Sequence, residues 1–142
     1  MDHNFYYKTD ESAFDFVKEI LHGDNTYAVN FDRLFLHSEG YVIIEFLLCD
    51  ARQPHVTPYT SHPRNYWNRN HQKFLSLYRY SKLLDTRLLL VNYAKAGTPH
   101  QDEVLMIEVL DMQQEGITRE KCTKFTRSQF AEWFQQFNNQ CL

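Results

Sequence analysis

Two carboxylates, Asp32 and Glu45, lie in stretches of the sequence that are otherwise rich in apolar residues. Glu45 is the clearer case, because it stands in the middle of the run YVIIEFLLC, residues 41–49. Burying a carboxylate is costly unless the group is paired or binds a metal ion. Two converging carboxylates offer the hard oxygen ligands that Mg²⁺ prefers. Such an ion lowers the pKa of a bound water and neutralises charge at a phosphodiester. The pair therefore predicts metal-assisted hydrolysis.

The spacing of apolar residues predicts the elements that must bring this pair together. In chain order they are helix 12–22, strands 27–36 and 41–49, helix 66–84, strands 87–93 and 104–110, and helix 127–138. The order α-β-β-α-β-β-α predicts an α/β fold with a small mixed four-stranded sheet flanked by helices. We expect one domain over residues 1–142, with its core in residues 12–110. Residues 111–124 are polar and are predicted to be irregular.

A helix, then a hairpin with Asp on its first strand and Glu on its second, then a helix and another strand, resembles the PD-(D/E)XK nuclease-like group. The resemblance covers residues 12–93. It implies a restriction-endonuclease-like core and a Mg²⁺-dependent nucleic-acid phosphodiesterase. Asp32 and Glu45, thirteen positions apart, would be catalytic metal ligands. Glu19 on the first helix would be a further metal ligand.

The sequence departs from that family at one position. The family's lysine stands two places after the Glu, where this chain has Leu47. Some families carry the lysine on the following helix instead, which implies that Lys73, or Gln72, takes its role here. The other interpretation is a catalytically inactive member that binds nucleic acid or a protein. A third hypothesis is a structural partner protein with an unrelated α/β fold.

Each of the acids also has a simpler interpretation. Asp32 is equally consistent with a surface aspartate on an edge strand, and Glu19 with a solvated helix residue. Glu45 could be a buried acid paired with Arg33 or Arg87.

Residues 51–84 contain no Asp or Glu, although the whole chain has a net charge of −3. Phosphates favour Lys and Arg, and exposed aromatic rings stack on bases. The segment 52–82 therefore predicts a nucleic-acid-binding surface, and its candidate residues are Arg64, Arg69, Lys73, Arg79, Lys82 and Trp67. The alternative is an amphipathic helix with an ordinary cationic outer face and its aromatic residues in the core.

The remaining features narrow the class of protein. Cys49, Cys122 and Cys141 are odd in number and include no C-x-x-C pair, which argues against a disulfide framework and favours a reducing compartment. His55, His62 and His71 match no standard zinc spacing and are expected to be surface residues of a long loop and helix. No apolar run is long enough to span a membrane. We expect a cytoplasmic protein.

Overall fold

A computed structural model of the 142-residue chain describes residues 12–22, 24, 32–50, 52–53 and 55–142. Its helices and strands are α1 (Ser12–Leu21), β1 (Arg33–His37), β2 (Gly40–Leu48), α2 (Trp67–Leu83), β3 (Arg87–Tyr93), β4 (Glu103–Gln113), β5 (Gly116–Thr126) and α3 (Arg127–Asn139). A single 3₁₀ turn, Pro63–Tyr66, leads into α2. No helix in this part of the chain is long and apolar enough to cross a membrane.

The five strands form one mixed sheet in the order β1-β2-β3-β4-β5. Strands β2 and β3 are parallel and are connected through α2, whereas the other neighbouring strands are antiparallel. The expected α/β class and the parallel pair are confirmed. The expected sheet of four strands is wrong, because residues 116–126 form a fifth strand within the segment predicted to be irregular. The predicted first strand also began earlier; its residues 27–31 lie outside the described residues.

Helices cover both faces of the sheet and make a three-layer arrangement. Alternate residues of the strands, such as Ile43, Leu88 and Ile107, pack against Phe74 and Leu77 of α2. The residues between them, such as Ile44 and Val91, face the aromatic side of α3. Because neighbouring residues of a strand point to opposite faces, Glu45 and Leu47 lie on the same side as Ile43, which is the α2 side.

The predicted C-terminal helix is confirmed, and it begins with a capping box. The Thr126 side chain accepts a hydrogen bond from the Gln129 N–H, and the Gln129 side chain accepts one from the Thr126 N–H. Beyond α3 the chain returns to the edge strand β1, where the Leu142 N–H donates to the carbonyl of Leu36. This contact ties α3 to the hairpin that carries Glu45.

A buried side chain of β3 helps to attach the long loop between β2 and α2 to the sheet. The Asn92 amide on β3 donates to the carbonyls of Ser61 at 2.7 Å and Pro58 at 3.2 Å. Hydrogen bonds from a fully buried amide hold the loop over the carboxyl ends of β2 and β3. The loop therefore forms a fixed wall beside that end of the sheet.

Candidate functional site

Asp32 and Glu45 are brought opposite each other by the register of the first hairpin. Arg33 pairs with Ile44, so Asp32, which immediately precedes β1, lies across from Glu45. The Asp32 N–H donates to Glu45 Oε2 at 3.0 Å. In return, the Phe46 N–H donates to Asp32 Oδ2 at 2.8 Å. Asp32 was expected inside a strand, whereas the described strand begins one residue later.

Glu45 is buried, with 4% of its surface exposed, and its charge is balanced by Lys73. Lys73 Nζ lies 2.7 Å from Glu45 Oε1. Lys73 can reach the sheet because the next residue, Phe74, points into the core beneath α2. The alternative partners Arg33 and Arg87 do not pair with Glu45, and Arg87 instead binds Glu108 at 2.7 Å.

The oxygen atoms of this pair have capacity for a further ligand. Each oxygen of an ionised carboxylate has two lone pairs. Glu45 Oε1 contacts Lys73 and Oε2 accepts one N–H, so both keep acceptor capacity. Asp32 is exposed and uses one oxygen for the Phe46 N–H. Two neighbouring carboxylates with free lone pairs fit a Mg²⁺ ion that keeps several of its waters.

Lys73 also lines a cleft of about 390 Å³ beyond the carboxyl end of β2. Leu47, Tyr66 and Phe74 form part of its walls. Burial raises the pKa of the Cys49 thiol, and it raises the pKa of Tyr66 to about 12. The cleft thus joins the charged pair at Lys73 to a region whose ionisable groups are neutral at pH 7.

A larger cavity of about 470 Å³ lies on the opposite face of the sheet, against α3. Its wall includes Arg87 and Glu108, which are paired with each other across neighbouring strands. That cavity contains neither Asp32 nor Glu45. The cleft beside Lys73 is therefore the better candidate for chemistry.

Two of the other expected contributors are not brought to the pair. Glu19 is exposed on α1, and no hydrogen bond or ion pair among the described residues connects it to Asp32 or Glu45. Gln72 is exposed, and the hydrogen bond it makes is to the neighbouring His71 ring at 3.4 Å. Of the two candidates for the displaced lysine, Lys73 is the one that reaches Glu45.

The expected nucleic-acid-binding set does not form one continuous surface. Trp67 is a core residue: its ring stacks on Phe74 at 5.7 Å, and its indole N–H donates to the carbonyl of Gln114 at 3.0 Å. The expectation that Trp67 stacks on bases is therefore wrong.

The exposed cations of α2 separate into two groups. Arg69 and Lys73 are four residues apart and share a side of the helix. Arg79 and Lys82 lie ten and thirteen residues after Arg69, which separates them from it by about 15 Å or more along the helix axis and places them on other sides of the helix. Lys82 lies over the Tyr78 ring at 5.3 Å. Only the Arg69–Lys73 group adjoins the cleft.

Arg64 lies away from α2, on the 3₁₀ turn that precedes it. Its positive charge acts on the Cys122 thiol of β5, where it opposes the effects that raise that pKa. Arg64 therefore belongs to the β5 side of the molecule.

His62, Glu120 and Cys122 form a cluster of metal-ligating types that the sequence did not predict. His62 was expected at the surface but is buried, and its Nε2 lies 2.7 Å from Glu120 Oε2. Its Nδ1 accepts the Arg64 N–H at 3.1 Å. This pattern puts the ring proton on Nε2, from which it is donated to Glu120, so neither nitrogen has a lone pair left for a metal. We interpret the cluster as a structural hydrogen-bonded pair.

Comparison of the chain with protein-family models, curated proteins and solved structures gives no match. The contacts that Asp32 and Lys73 make with Glu45 are therefore the features of this chain that bear on its function.

Proposed function

We propose that this chain is a divalent-metal-dependent phosphodiesterase that acts on nucleic acid and has a restriction-endonuclease-like core. The observation that carries the proposal is the convergence of Asp32 and Lys73 on the buried carboxylate of Glu45. A buried acid flanked by a second acid and a partly exposed cation, beside an open cleft, is a favourable arrangement for a catalytic site. The resemblance to PD-(D/E)XK nucleases supplies the reaction class by analogy.

In this proposal Asp32 and Glu45 hold Mg²⁺ through their free lone pairs. When bound, the ion supplies a water of lowered pKa and charge neutralisation at the scissile phosphate. Glu45 is fixed for this task because its strand is central and the Asp32 N–H orients its carboxylate. Lys73 orients the attacking water and offsets negative charge as it develops on the phosphate.

The replacement of the family's lysine by Leu47 is accommodated in this arrangement. Leu47 packs against the core beneath α2, and an ammonium group reaches Glu45 from α2 instead. The Lys73 side chain is 45% exposed, so its ammonium group can leave Glu45 and turn toward a substrate in the cleft. The proposal therefore assigns the lysine role to Lys73 alone.

The test is a cleavage assay on fluorescent single-stranded and duplex DNA and RNA with Mg²⁺ or Mn²⁺. We expect cleavage that falls at least about 100-fold in Glu45→Gln and Lys73→Met, because each removes a group that acts in the transition state. Glu108→Gln is the matched control, since it removes an acid from a comparable ion pair on the same sheet. Activity that survives in Glu45→Gln would contradict the assignment.

The second candidate function is binding without cleavage. Each Glu45 oxygen already has a protein partner, and Asp32 accepts a backbone N–H. Asp32, Glu45 and Lys73 therefore also fit a structural role, in which they stabilise the hairpin and its contact with α2. The exposed Arg69–Lys73 group would then supply the contact with phosphates. Metal-independent binding of nucleic acid that is weakened in Arg69→Ala, together with no cleavage by the wild type, would favour this alternative.

A further inference from the structure

The strand wall and the helix wall of the cleft are both charged at one end and uncharged at the other. Along the strand wall, Glu45 is followed four residues later by Cys49, a rise of about 13 Å. Along the helix wall, Tyr66 precedes Lys73 by seven residues, a rise of about 10 Å. Because α2 runs antiparallel to β2, Cys49 and Tyr66 share one end of the cleft. The other end holds Lys73 and, behind it, Glu45.

The end at Cys49 and Tyr66, with Ser61 beside them, has no charge of its own to offer a phosphate. Burial keeps the thiol and the phenol protonated, because it raises both pKa values. The Ser61 side chain lies close enough to both groups to lower those pKa values by a smaller amount. We call Cys49, Ser61 and Tyr66 the neutral subsite.

The acid and the cation beside the neutral subsite, Asp50 and Arg52, are paired with each other, so neither is a free charge. Asp50, the next residue after Cys49, lines the cleft and holds Arg52 at 2.7 Å. This arginine lowers the pKa of Asp50 to about 2, so the acid is ionised at pH 7. An anionic phosphate is therefore better accommodated at the Lys73 end.

The surroundings of the neutral subsite favour a flat group that forms hydrogen bonds. Leu47, Val56 and Phe74 give the cleft apolar walls. A hydroxyl, a thiol and a phenol provide donors and acceptors at one end. The loop that carries Ser61 is fixed by Asn92, whose buried Oδ1 has no hydrogen-bond partner among the described residues. These are the features of a specificity pocket for a neutral heterocycle.

We propose that the neutral subsite binds a nucleobase of a single-stranded substrate, next to the phosphate that meets Lys73. This inference rests on the proposed function for its choice of substrate. Tyr66 and Ser61 contact the hydrogen-bonding edge of the base, and the apolar walls contact its faces. A cleft of about 390 Å³ admits one nucleotide-sized group. A base that is stacked and paired within a duplex could enter it only after being extruded, at a cost.

The test compares the affinity of the wild type for two fluorescent single-stranded pentanucleotides by anisotropy. One is complete and the other lacks the central base. The measurement is made in EDTA, so that neither metal binding nor cleavage contributes. We expect the complete strand to bind about tenfold more tightly, as a stacked base typically provides. We also expect Tyr66→Phe to reduce that ratio, while Tyr41→Phe, an exposed tyrosine at the far end of β2, leaves it unchanged.

Each result separates the subsite from the catalytic proposal. Equal affinity for the two strands, no binding of either, or a ratio unaffected by Tyr66→Phe would overturn the subsite. A retained ratio in Glu45→Gln, which tests the metal site, would support a subsite that acts independently of it. A retained ratio in a protein that binds no Mg²⁺ would refute the phosphodiesterase and leave the base subsite standing.

Discussion

Replacing Lys73 by Met removes the charge that balances Glu45 and keeps most of the side-chain volume. Losing one partner of a buried ion pair costs about 3 to 5 kcal/mol, because the remaining charge is left uncompensated. Here the loss is smaller, since the Lys73 side chain is 45% exposed and Glu45 keeps the Asp32 N–H at 3.0 Å. We expect Lys73→Met to lower the free energy of unfolding by about 2 to 3 kcal/mol.

Urea unfolding followed by circular dichroism measures this loss directly. With a slope of about 1 to 3 kcal/mol per molar urea, the midpoint should fall by about 1 to 3 M. Adding Glu45→Gln removes the orphaned charge, so the double variant should be more stable than Lys73→Met alone. Lys82→Met is the control, because Lys82 contacts only an aromatic ring in the described residues. An unchanged midpoint in Lys73→Met, or a double variant less stable than the single one, would refute the account of a buried pair.

Three further predictions concern groups outside the site. The hydrogen bond from the Tyr78 hydroxyl is the main cause that lowers the pKa of Asp111. This acid therefore stabilises the fold at pH values above about 4, and the effect is lost as the pH falls through its lowered pKa. In urea titrations at pH 6 and pH 3, Tyr78→Phe should show a smaller difference in stability between the two pH values than the wild type. Partial burial, with a contribution from Glu120, raises the pKa of the Cys122 thiol to about 11, although the residue is accessible to reagents. Iodoacetamide should therefore modify Cys122 slowly at pH 7.5 and faster in Glu120→Gln, as followed by mass spectrometry. Asn92→Ala removes two hydrogen bonds to the β2–α2 loop, and limited proteolysis should cut this loop faster, with a loss of about 1 to 3 kcal/mol in stability. The first prediction is contradicted if Tyr78→Phe loses as much stability between pH 6 and pH 3 as the wild type. The second is contradicted if Cys122 is alkylated at the same rate in Glu120→Gln, and the third if the protease cuts the loop of Asn92→Ala no faster.

The burial of Glu45 could be predicted from the sequence because its strand is apolar on both sides of the residue. A run without alternation indicates a strand covered on both faces, and β2 is covered in this way by α2 and α3. The residues Ser38-Glu39-Gly40 indicate a hairpin turn, but only the register of the hairpin places Asp32 across from Glu45. The sequence named Lys73 as the replacement for the missing lysine but left Gln72 open, because the two differ by about 100° around the helix and only packing fixes that rotation.

The fifth strand could not be recognised, because it lies at the edge of the sheet and is polar on much of its length. Charged residues such as Glu120, Lys121 and Lys124 protect an edge strand from pairing with other chains, and they also hide its periodicity. The contact between His62 and Glu120 was missed for the same reason. It joins a loop to this edge across 58 positions of sequence, and no local pattern carries that information.

Calorimetric titration of Mg²⁺ and Mn²⁺ into the wild type, Glu45→Gln and the control Glu108→Gln tests whether Asp32 and Glu45 form a divalent-ion site. We predict one divalent-ion site in the wild type and the control, and its loss in Glu45→Gln, because Glu45 and Asp32 provide the only protein ligands assigned to the ion. Circular dichroism of each variant establishes that the fold is retained. Binding that persists unchanged in Glu45→Gln, or a wild type that binds neither ion, would contradict the claim that this pair forms a metal site.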